Sequence, residues 1–376
     1  MLLPLEYHFP NKEIEPENLD KFLADGYFRT GNYLLRTRVL YYDQLILNTL
    51  HIRIALDNHR ITKRLEKKFR QNNSIFTHIV QPFKITEEKE RLYQLHRKRF
   101  IGNNSVSLAA FMYDNYNKNI FNTFEINIYH QEQLIGYCIF DVGNNSMASI
   151  LGIFHPNYSK YSIGIYSMFL ELEYAKKSNL KYYYPGYVAY EPSKFNYKLK
   201  LSETIEFYDW FTKKWVSFEN KDSRIKVNDF FSAQLDIAKS WLDLFHLKYE
   251  EYFNPYFYMG GMYPNSDCVK GVRHLLIHDF DIEGLFYIVE FHPEKMELII
   301  AGITLHKYQF EDEIDFNDLY EDKNWKRVLL YLHPQIVVKN AFELYASYIF
   351  LQDFFAKHSQ SKPIPNTAFK NPNLDR

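Results

Sequence analysis

The pattern of apolar and polar positions is clearest in the middle of the chain. Two strands are predicted at Phe124–Tyr129 and Leu134–Val142, and the polar turn His130-Gln131-Glu132-Gln133 between them predicts a hairpin. A strand at Ser149–Phe154, an amphipathic helix over Ile163–Lys177 and a strand at Lys181–Tyr184 follow. The predicted order along the chain is therefore hairpin, strand, loop, helix and strand.

The same order is similar to an N-acetyltransferase-like (GNAT) core, so we expect an α/β (α+β) fold: a GNAT-like mixed sheet with flanking helices, plus a C-terminal α+β region. Further helices are predicted at 15–30, 61–71, 86–100, 231–249 and 341–356, and further strands at 33–39, 50–56, 286–291 and 298–305. The predicted domains are a basic N-terminal region packing on the core (1–105), the GNAT-like catalytic core (106–225), the C-terminal extension (226–360) and a flexible tail (361–376).

Composition is that of a globular chain and excludes several classes of protein. Of 376 residues, 46% are hydrophobic and 24% are charged, which allows a sizeable core. The two cysteines cannot form a disulfide framework or a cysteine-ligated cluster, so we expect a reducing, cytoplasmic compartment. The N-terminus lacks a signal-peptide pattern and no stretch is apolar enough for a membrane helix, so we expect no membrane partner.

Charge is distributed unevenly although the net charge is -1. Residues 51–100 hold thirteen Lys or Arg against five acidic residues, an excess of +8. Residues 220–376 hold seventeen basic and twenty-three acidic residues, which gives -6. The basic half can therefore bind a polyanion that the acidic half cannot. A solvated helix face is the ordinary alternative for such a charge run.

The loop before the central helix is the first candidate site. Coenzyme A-dependent acetyltransferases need Arg/Gln-x-x-Gly-x-Gly/Ala there, because its N–H groups and the helix dipole bind a pyrophosphate. The corresponding stretch, Ser159-Lys160-Tyr161-Ser162-Ile163-Gly164, keeps Gly164 but has Ser162 in place of the first glycine. That side chain obstructs a pyrophosphate, although the loop can offer N–H donors to a phosphate, a carboxylate or an oxyanion. An ordinary loop before a helix is the alternative.

A second candidate site follows the last strand of the core. Gly186 permits a tight bend that brings Tyr187 toward the site. Pro192 is suited to the first position of a helix, and the i, i+3, i+4 spacing then puts three side chains on one face: Lys194, Tyr197 and Lys198. Two ammonium groups and a phenol suit a phosphate or a carboxylate. A solvated lysine face is the alternative.

Arg29 is a third candidate. Gly26 and Gly31 bracket an aromatic pair and this arginine, which predicts a loop that holds Arg29 in a fixed place. The alternative is a helix C-cap followed by a turn with an exposed arginine.

The histidines do not predict a metal site. Only His274 and His278 have i, i+4 spacing, and they could share a ligand only if Gly271–Asp279 were helical. Core or surface histidines are the simpler interpretation, and we expect no metal.

Together the motifs resemble the arginyl- and leucyl-tRNA–protein transferase family over roughly residues 20–218. The matching motifs are Gly26-Tyr27-Phe28-Arg29-Thr30-Gly31, Ile52-Arg53-Ile54, Lys63-Arg64-Leu65, Arg70-Gln71-Asn72, Leu92-Tyr93, Arg97–Arg99, Ser162-Ile163-Gly164, Tyr184-Pro185-Gly186-Tyr187 and Lys194-x-x-Tyr197-Lys198. The resemblance implies a GNAT-like enzyme that uses aminoacyl-tRNA in place of acetyl-coenzyme A. Such enzymes join arginine or leucine to proteins with an acidic N-terminal residue, which marks them for degradation. The family's cysteines, which sometimes hold a metal cluster, are absent from Leu34–Leu50.

The resemblance also implies roles for the candidate residues. Ser162, Gly164 and Tyr187 are the expected catalytic residues: the loop N–H groups would face the oxyanion or the terminal nucleotide, and Tyr187 would relay or position a proton. The expected ligands of the tRNA 3′ end or the acidic acceptor residue are Lys194, Tyr197, Lys198 and Arg29. The expected contacts with tRNA phosphates are Lys63, Arg64, Arg70 and Arg97–Arg99.

Aminoacyl transfer is the leading prediction from the sequence. The ester on tRNA is already activated, so no covalent intermediate and no cofactor beyond aminoacyl-tRNA is expected. A coenzyme A-dependent N-acyltransferase and a non-catalytic tRNA- or protein-binding module are the alternatives.

Overall fold

The computed structural model describes residues 4–42, 45–98, 105–113, 118–221, 226–254, 267–278, 285–309 and 325–359. Two compact units divide near residue 230: most described residues before it belong to the first unit and most after it to the second. The predicted flexible tail, 361–376, lies outside the described residues.

The first unit holds twelve strands and five α-helices within its described residues. The strands are β1 (Leu5–His8), β2 (Phe28–Thr30), β3 (Tyr33–Thr37), β4 (Val39–Tyr42), β5 (Leu45–Ala55), β6 (Thr77–Pro82), β7 (Thr123–His130), β8 (Gln133–Val142), β9 (Ser146–Phe154), β10 (Tyr182–Ala189), β11 (Ile205–Asp209) and β12 (Lys214–Ser217). The α-helices are α1 (Pro16–Ala24), α2 (Lys63–Asn73), α3 (Glu87–Arg97), α4 (Leu108–Tyr113) and α5 (Ile163–Lys177), and 3-10 helices cover Pro156–Tyr161, Lys194–Leu201 and Phe218–Asn220.

The main sheet is mixed, as the sequence predicts. Its order is β12-β11-β5-β10-β9-β8-β7-β6, with β4 paired to β5, while β1-β3-β2 form a small separate sheet. The pairs on either side of β8 are antiparallel. The β9–β10 pair is parallel, and α5 is the crossover between its strands. Strand β5 brings the N-terminal part of the chain into the centre of this sheet.

Helices cover both faces of the sheet. Cys138 and Phe140 of β8 pack in the same apolar cluster as α5, whereas Tyr137 and Ile139 pack with α3. Because successive side chains of a strand point to opposite faces, α5 and α3 lie on opposite sides of the sheet. The prediction that this helix is amphipathic is wrong: α5 is apolar on most of its circumference, which is typical of a buried helix. It ends at Lys177, and Asn179 beyond its cap has the left-handed conformation.

Two predicted elements have other bounds. The helical pattern predicted within 15–30 ends at Gly26, and the helix itself ends at Ala24, because Gly26 at φ 79° turns the chain and Phe28–Thr30 then form β2. The last core strand does not stop at Tyr184 but continues to Ala189. A register shift between Tyr183 and Gly186 accommodates Pro185, which has no N–H to donate to the ladder.

The second unit is α+β, as predicted. Its sheet follows the order β13 (Glu250–Phe253), β14 (Arg273–His278), β15 (Leu285–His292), β16 (Glu297–Gln309) and β17 (Trp325–Val337), with helices α6 (Val227–Leu244) and α7 (Ala341–Ser359). His274 and His278 lie on a strand, where residues four apart are about 13 Å apart, so they do not share a ligand through helical spacing.

Candidate active site

A large cavity opens where β9 and β10 separate. The two strands pair only from Ser146 to Ala148 and from Tyr182 to Tyr184. Beyond that point the space between them belongs to a cavity of about 1540 Å³, called here the split cavity. It is lined on the α5 side by α2, α5 and the 3-10 helix Lys194–Leu201, and on the α3 side by residues of β2, α3 and α4.

Ser162 lies where a backbone turn requires the left-handed conformation. Its φ and ψ are 56° and 48°, and it ends one 3-10 helix and begins α5. Glycine adopts this conformation without steric cost, which explains why acetyltransferase loops have glycine at the corresponding position. The N–H groups of Ile163 and Gly164 begin α5 and have no acceptor among the described residues. They form the positive end of the helix dipole at the split cavity.

Helix α2 is fixed against this helix N-terminus. Lys68 Nζ donates to Ser162 Oγ at 2.6 Å, and Asn72 Nδ2 donates to the carbonyl of Tyr161 at 2.9 Å. The Tyr166 hydroxyl donates to Asn73 Oδ1 at 2.7 Å. Within the described part of the chain, no carboxylate lies within ion-pair distance of Lys68. An ammonium group beside two backbone donors is suited to bind a phosphate.

Glu171 is a buried carboxyl group in the wall of the split cavity. It lies on α5 and is 0% exposed. Its Oε2 accepts a hydrogen bond from the Tyr183 hydroxyl at 2.5 Å, and its Oε1 is buried without a hydrogen bond of good geometry. Burial raises the pKa of Glu171 to about 7, against the opposing hydrogen bonds of Tyr183 and Ser149. A carboxyl group with this pKa can accept a proton near neutral pH.

Lys198 lines the same cavity and has a lowered pKa. Its Nζ donates to the carbonyl of Tyr187 at 3.2 Å and lies 5.3 Å from the centre of that ring. Burial lowers the pKa of Lys198 to about 8, while the charge of Glu171 raises it. An ammonium group with this pKa can give up a proton more readily than an exposed lysine.

The bend at Gly186 places Tyr187 in the cavity, as the sequence predicts. Gly186 has φ 92°, and a Cβ at this position would lie 3.2 Å from Lys198 Nζ. Burial raises the pKa of Tyr187 to about 12, so its hydroxyl stays protonated and acts as a donor.

Lys194 and Tyr197 also line the cavity, although the helix that carries them is of the 3-10 type and begins after Ser193. Lys194 Nζ lies 4.2 Å from the centre of the Tyr42 ring, and Tyr197 is 41% exposed. In a 3-10 helix, residues i and i+3 overlie each other, which keeps these two side chains on one face.

The contacts of Arg29 do not fit the ligand-binding role predicted for it. Its five N–H donors have five acceptors: Gly31 O, Thr123 Oγ1, Asp141 Oδ1, Met112 O and Asn119 Oδ1. The guanidinium also lies 4.2 Å from the Phe121 ring, and the residue is 4% exposed. Arg29 borders the cavity, but it has no donor left for a carboxylate and instead joins β2, α4 and the main sheet.

The basic residues predicted on α2 do not all face the cavity. Arg64 lines it, together with Lys67 and Lys68. Arg70 is exposed and forms an ion pair with Glu66 one turn away, and Lys63 lies outside the lining. Of Arg97–Arg99, Arg97 lines the cavity and Arg99 lies outside the described residues.

Glu171 and Lys68 were not among the site residues predicted from the sequence, although both have a signal. Glu171 follows Gly164 by seven residues, or two helical turns, which places a carboxylate on the cavity face of an otherwise apolar helix. Lys68 follows Arg64 by four residues and shares its face.

The fold and the site together define the class of protein. A mixed sheet with a parallel pair that separates, crossed by a helix whose N-terminus opens at the separation, is the arrangement of a GNAT-like acyltransferase. Residues 87–208 match the family model described as "Arginine-tRNA-protein transferase, C terminus". Over this region the chain is similar to this family of aminoacyl-tRNA–protein transferases.

Individual relatives have modest identity. The chain is 28% identical over 186 residues to an aspartate/glutamate leucyltransferase of Leptospira interrogans, covering 48% of this chain and 70% of the relative. It is 22% identical over 195 residues to the protein of that name from Acinetobacter baylyi, covering 50% of this chain and 69% of the relative. It is 36% identical over 70 residues to arginyl-tRNA–protein transferase 1 of Saccharomyces cerevisiae, covering 19% of this chain and 14% of the relative.

The solved structures that match have lower sequence identity to this chain than these relatives do. L-PGS from Bacillus licheniformis matches with a TM-score of 0.33 and 13% identity, over 57% of this chain and 68% of that one. FemX matches with a TM-score of 0.30 and 10% identity, over 53% and 68% of the two chains. Among the described residues, no helix is both long and apolar enough to cross a membrane.

Proposed function

We propose that this chain transfers an amino acid of the leucine or arginine type from aminoacyl-tRNA to the α-amine of an acceptor protein with an acidic N-terminal residue. The observation that carries the proposal is the split cavity, where the N-terminus of α5, Lys68 and the buried Glu171 carboxyl line one space. Relatives named aspartate/glutamate leucyltransferase and arginyl-tRNA–protein transferase support the donor and the acceptor class.

The 3′ end of tRNA enters from the α5 side. Ser162, Gly164 and Lys68 hold its terminal phosphate through backbone N–H groups and an ammonium group. Cations along the rest of this side neutralise further phosphates: Arg64, Lys67 and Lys194. Lys63 and Arg70 meet the tRNA body outside the cavity, and Tyr197 contacts the terminal nucleotide.

The chemistry is an aminolysis of the activated ester. The acceptor amine attacks the ester carbonyl, a carbon–nitrogen bond forms and the bond to the ribose 3′ oxygen breaks. Glu171 accepts the proton that the amine loses, and Lys198 donates a proton to the leaving oxygen. The Tyr187 hydroxyl donates to the carbonyl oxygen as negative charge develops on it.

No cofactor beyond aminoacyl-tRNA is part of this proposal. The side chain of Ser162 hinders a coenzyme A pyrophosphate from reaching the N-terminus of α5. This favours aminoacyl-tRNA over acetyl-coenzyme A as the donor. The ester bond already supplies the activation that a thioester would bring.

The test is transfer itself. The chain is incubated with tRNA charged with each of several labelled amino acids and with peptides that begin with Asp, Glu or Ala. We expect one amino acid to be added to the N-terminus of the Asp and Glu peptides, as measured by mass spectrometry. Acetylation from acetyl-coenzyme A without tRNA, or no adduct with any donor, would contradict the proposal.

A further inference from the structure

The two oxygens of the Glu171 carboxyl group have different surroundings. Oε2 accepts the hydrogen bond from the Tyr183 hydroxyl, at 2.5 Å, whereas Oε1 is buried without a hydrogen bond of good geometry in the described part of the chain. Glu171 lines the split cavity, but Tyr183 is 0% exposed and is not among the lining residues. Tyr183 therefore holds one oxygen of the carboxyl group from within the protein, and the other oxygen remains for a ligand.

Strand β10 fixes the position of Tyr183. Its backbone pairs with Ile54 of β5 on one side and with Met147 of β9 on the other, just before the register shift that leads to the bend at Gly186. The side chain packs in the apolar cluster that α5 shares with the main sheet, which brings its hydroxyl to Glu171 on that helix. A strand that is paired on both sides keeps the hydroxyl at a constant place, so it can orient the carboxyl group.

The hydrogen bond also affects the ionisation of Glu171. Burial raises the pKa of Glu171 to about 7, and the hydrogen bond from Tyr183 opposes this by stabilising the charged form. Burial and the charge of Glu171 hold the pKa of Tyr183 well above its ordinary value, so the phenol keeps its proton and acts as the donor. The other side chains that interact with Glu171 come from β8, β9 and the 3-10 helix after β10: Cys138, Ser149, Tyr197 and Lys198.

We infer that Tyr183 is a positioning residue for Glu171, whose Oε2 it holds so that Oε1 accepts the proton of the attacking amine. The inference rests on the proposed function and adds to it the residue through which the fold controls the proton acceptor. The proton that the amine loses goes to Oε1, while the Tyr183 hydroxyl keeps its own proton throughout. Tyr183 does not touch the substrates, so its effect on the rate passes through Glu171.

The test is the pH dependence of single-turnover transfer to a peptide that begins with Asp, in the full chain and its variants. Tyr183→Phe should move the rising limb of the rate up by about one pH unit, because the charged form of Glu171 loses a hydrogen bond, and should lower the rate at about pH 6.5 roughly tenfold. In a Glu171→Gln background, the same substitution should change the rate less than about threefold. Tyr184→Phe is the matched control and should keep the wild-type limb, because Tyr184 is buried on the same strand but packs in the apolar cluster of α1.

A second variant retains both the hydroxyl and the ring of Tyr183. Replacing Tyr183 with meta-fluorotyrosine makes the phenol a stronger hydrogen-bond donor, so the rising limb should move down instead of up. This variant decides the question if Tyr183→Phe does not fold.

Other outcomes identify which claim fails. If Tyr183→Phe keeps the wild-type rising limb, or if meta-fluorotyrosine gives no downward shift, this inference is wrong while the proposed function stands. If Tyr183→Phe lowers the rate equally with Glu171 and with Gln at that position, Tyr183 supports the fold and not the carboxyl group, and the inference is again wrong. If the wild-type chain transfers nothing to any peptide, the proposed function and the inference fall together.

Discussion

Single residues at the split cavity show how burial changes the role of a charged group. Lys198 and Glu171 line the cavity with pKa values near 8 and 7, which suits proton transfer near neutral pH. Arg29 borders the same space, yet its donors are used by the protein. Arg29 therefore differs from Lys198 and Glu171 in its role because its hydrogen-bond donors already have protein acceptors, and not because of its residue type.

Arg29 should therefore matter for folding more than for acceptor choice. Arg29→Met leaves the buried Asp141 carboxylate without its cation, which should lower the free energy of unfolding by about 3–5 kcal/mol. Adding Asp141→Leu removes that carboxylate and should recover part of the loss. Denaturant unfolding of the full chain measures both variants. A stable Arg29→Met protein that has lost only its preference for acidic acceptors would restore the sequence-based role.

At the scale of elements, α2 and α5 form one surface. Lys68, Asn72 and Asn73 of α2 are hydrogen-bonded to the loop and first turn around Ser162, so the basic helix is held at a fixed place beside the N-terminus of α5. A charge run that the sequence alone could assign to a solvated face thus borders the candidate phosphate site.

Charge reversal on α2 should weaken tRNA binding. Lys63→Glu with Lys67→Glu should lower the affinity for charged tRNA and reduce the slope of log K against log salt by roughly 0.7–0.9 for each phosphate that the helix no longer neutralises. The control is Lys213→Glu with Lys214→Glu, which changes the net charge equally at the residue before β12 and the first residue of that strand. Fluorescence anisotropy at several salt concentrations measures the affinity of both double variants for charged tRNA. Equal decreases in affinity for both pairs would mean that net charge, and not this helix, controls binding.

At the scale of the whole molecule, the sequence predicts local elements better than their long-range partners. The hairpin, the crossover helix and the strand that follows are predicted from apolar segments and the polar turns between them, and the mixed sheet built from them is confirmed. Periodicity carries no information on which strand lies beside which. The position of β5 between β10 and β11 therefore could not be predicted from the sequence pattern, and neither could the edge strand β6.

The candidate site shows the same limit. The bend at Gly186 and the position of Ser162 follow from local backbone chemistry, and both line the cavity. The sequence does not indicate that Glu171 belongs to the site, because a glutamate on a helix is ordinarily solvated. Its burial depends on packing against Tyr183 and the main sheet. The hydrogen bonds of Arg29 could not be predicted for the converse reason, since four of its five acceptors come from distant parts of the chain.

The most direct test of the account is the pH dependence of single-turnover transfer by the wild type and Glu171→Gln. The wild-type rate should rise with pH through about 7, because Glu171 accepts a proton only when ionised, and should fall above about 8 as Lys198 loses its proton. Glu171→Gln should lower the rate roughly 10²–10⁴-fold and move the rising limb toward 8, where a peptide α-amine titrates. Glu173→Gln, on the same helix outside the cavity lining, should behave as the wild type. A Glu171→Gln protein with the wild-type rate and the wild-type rising limb would contradict the account.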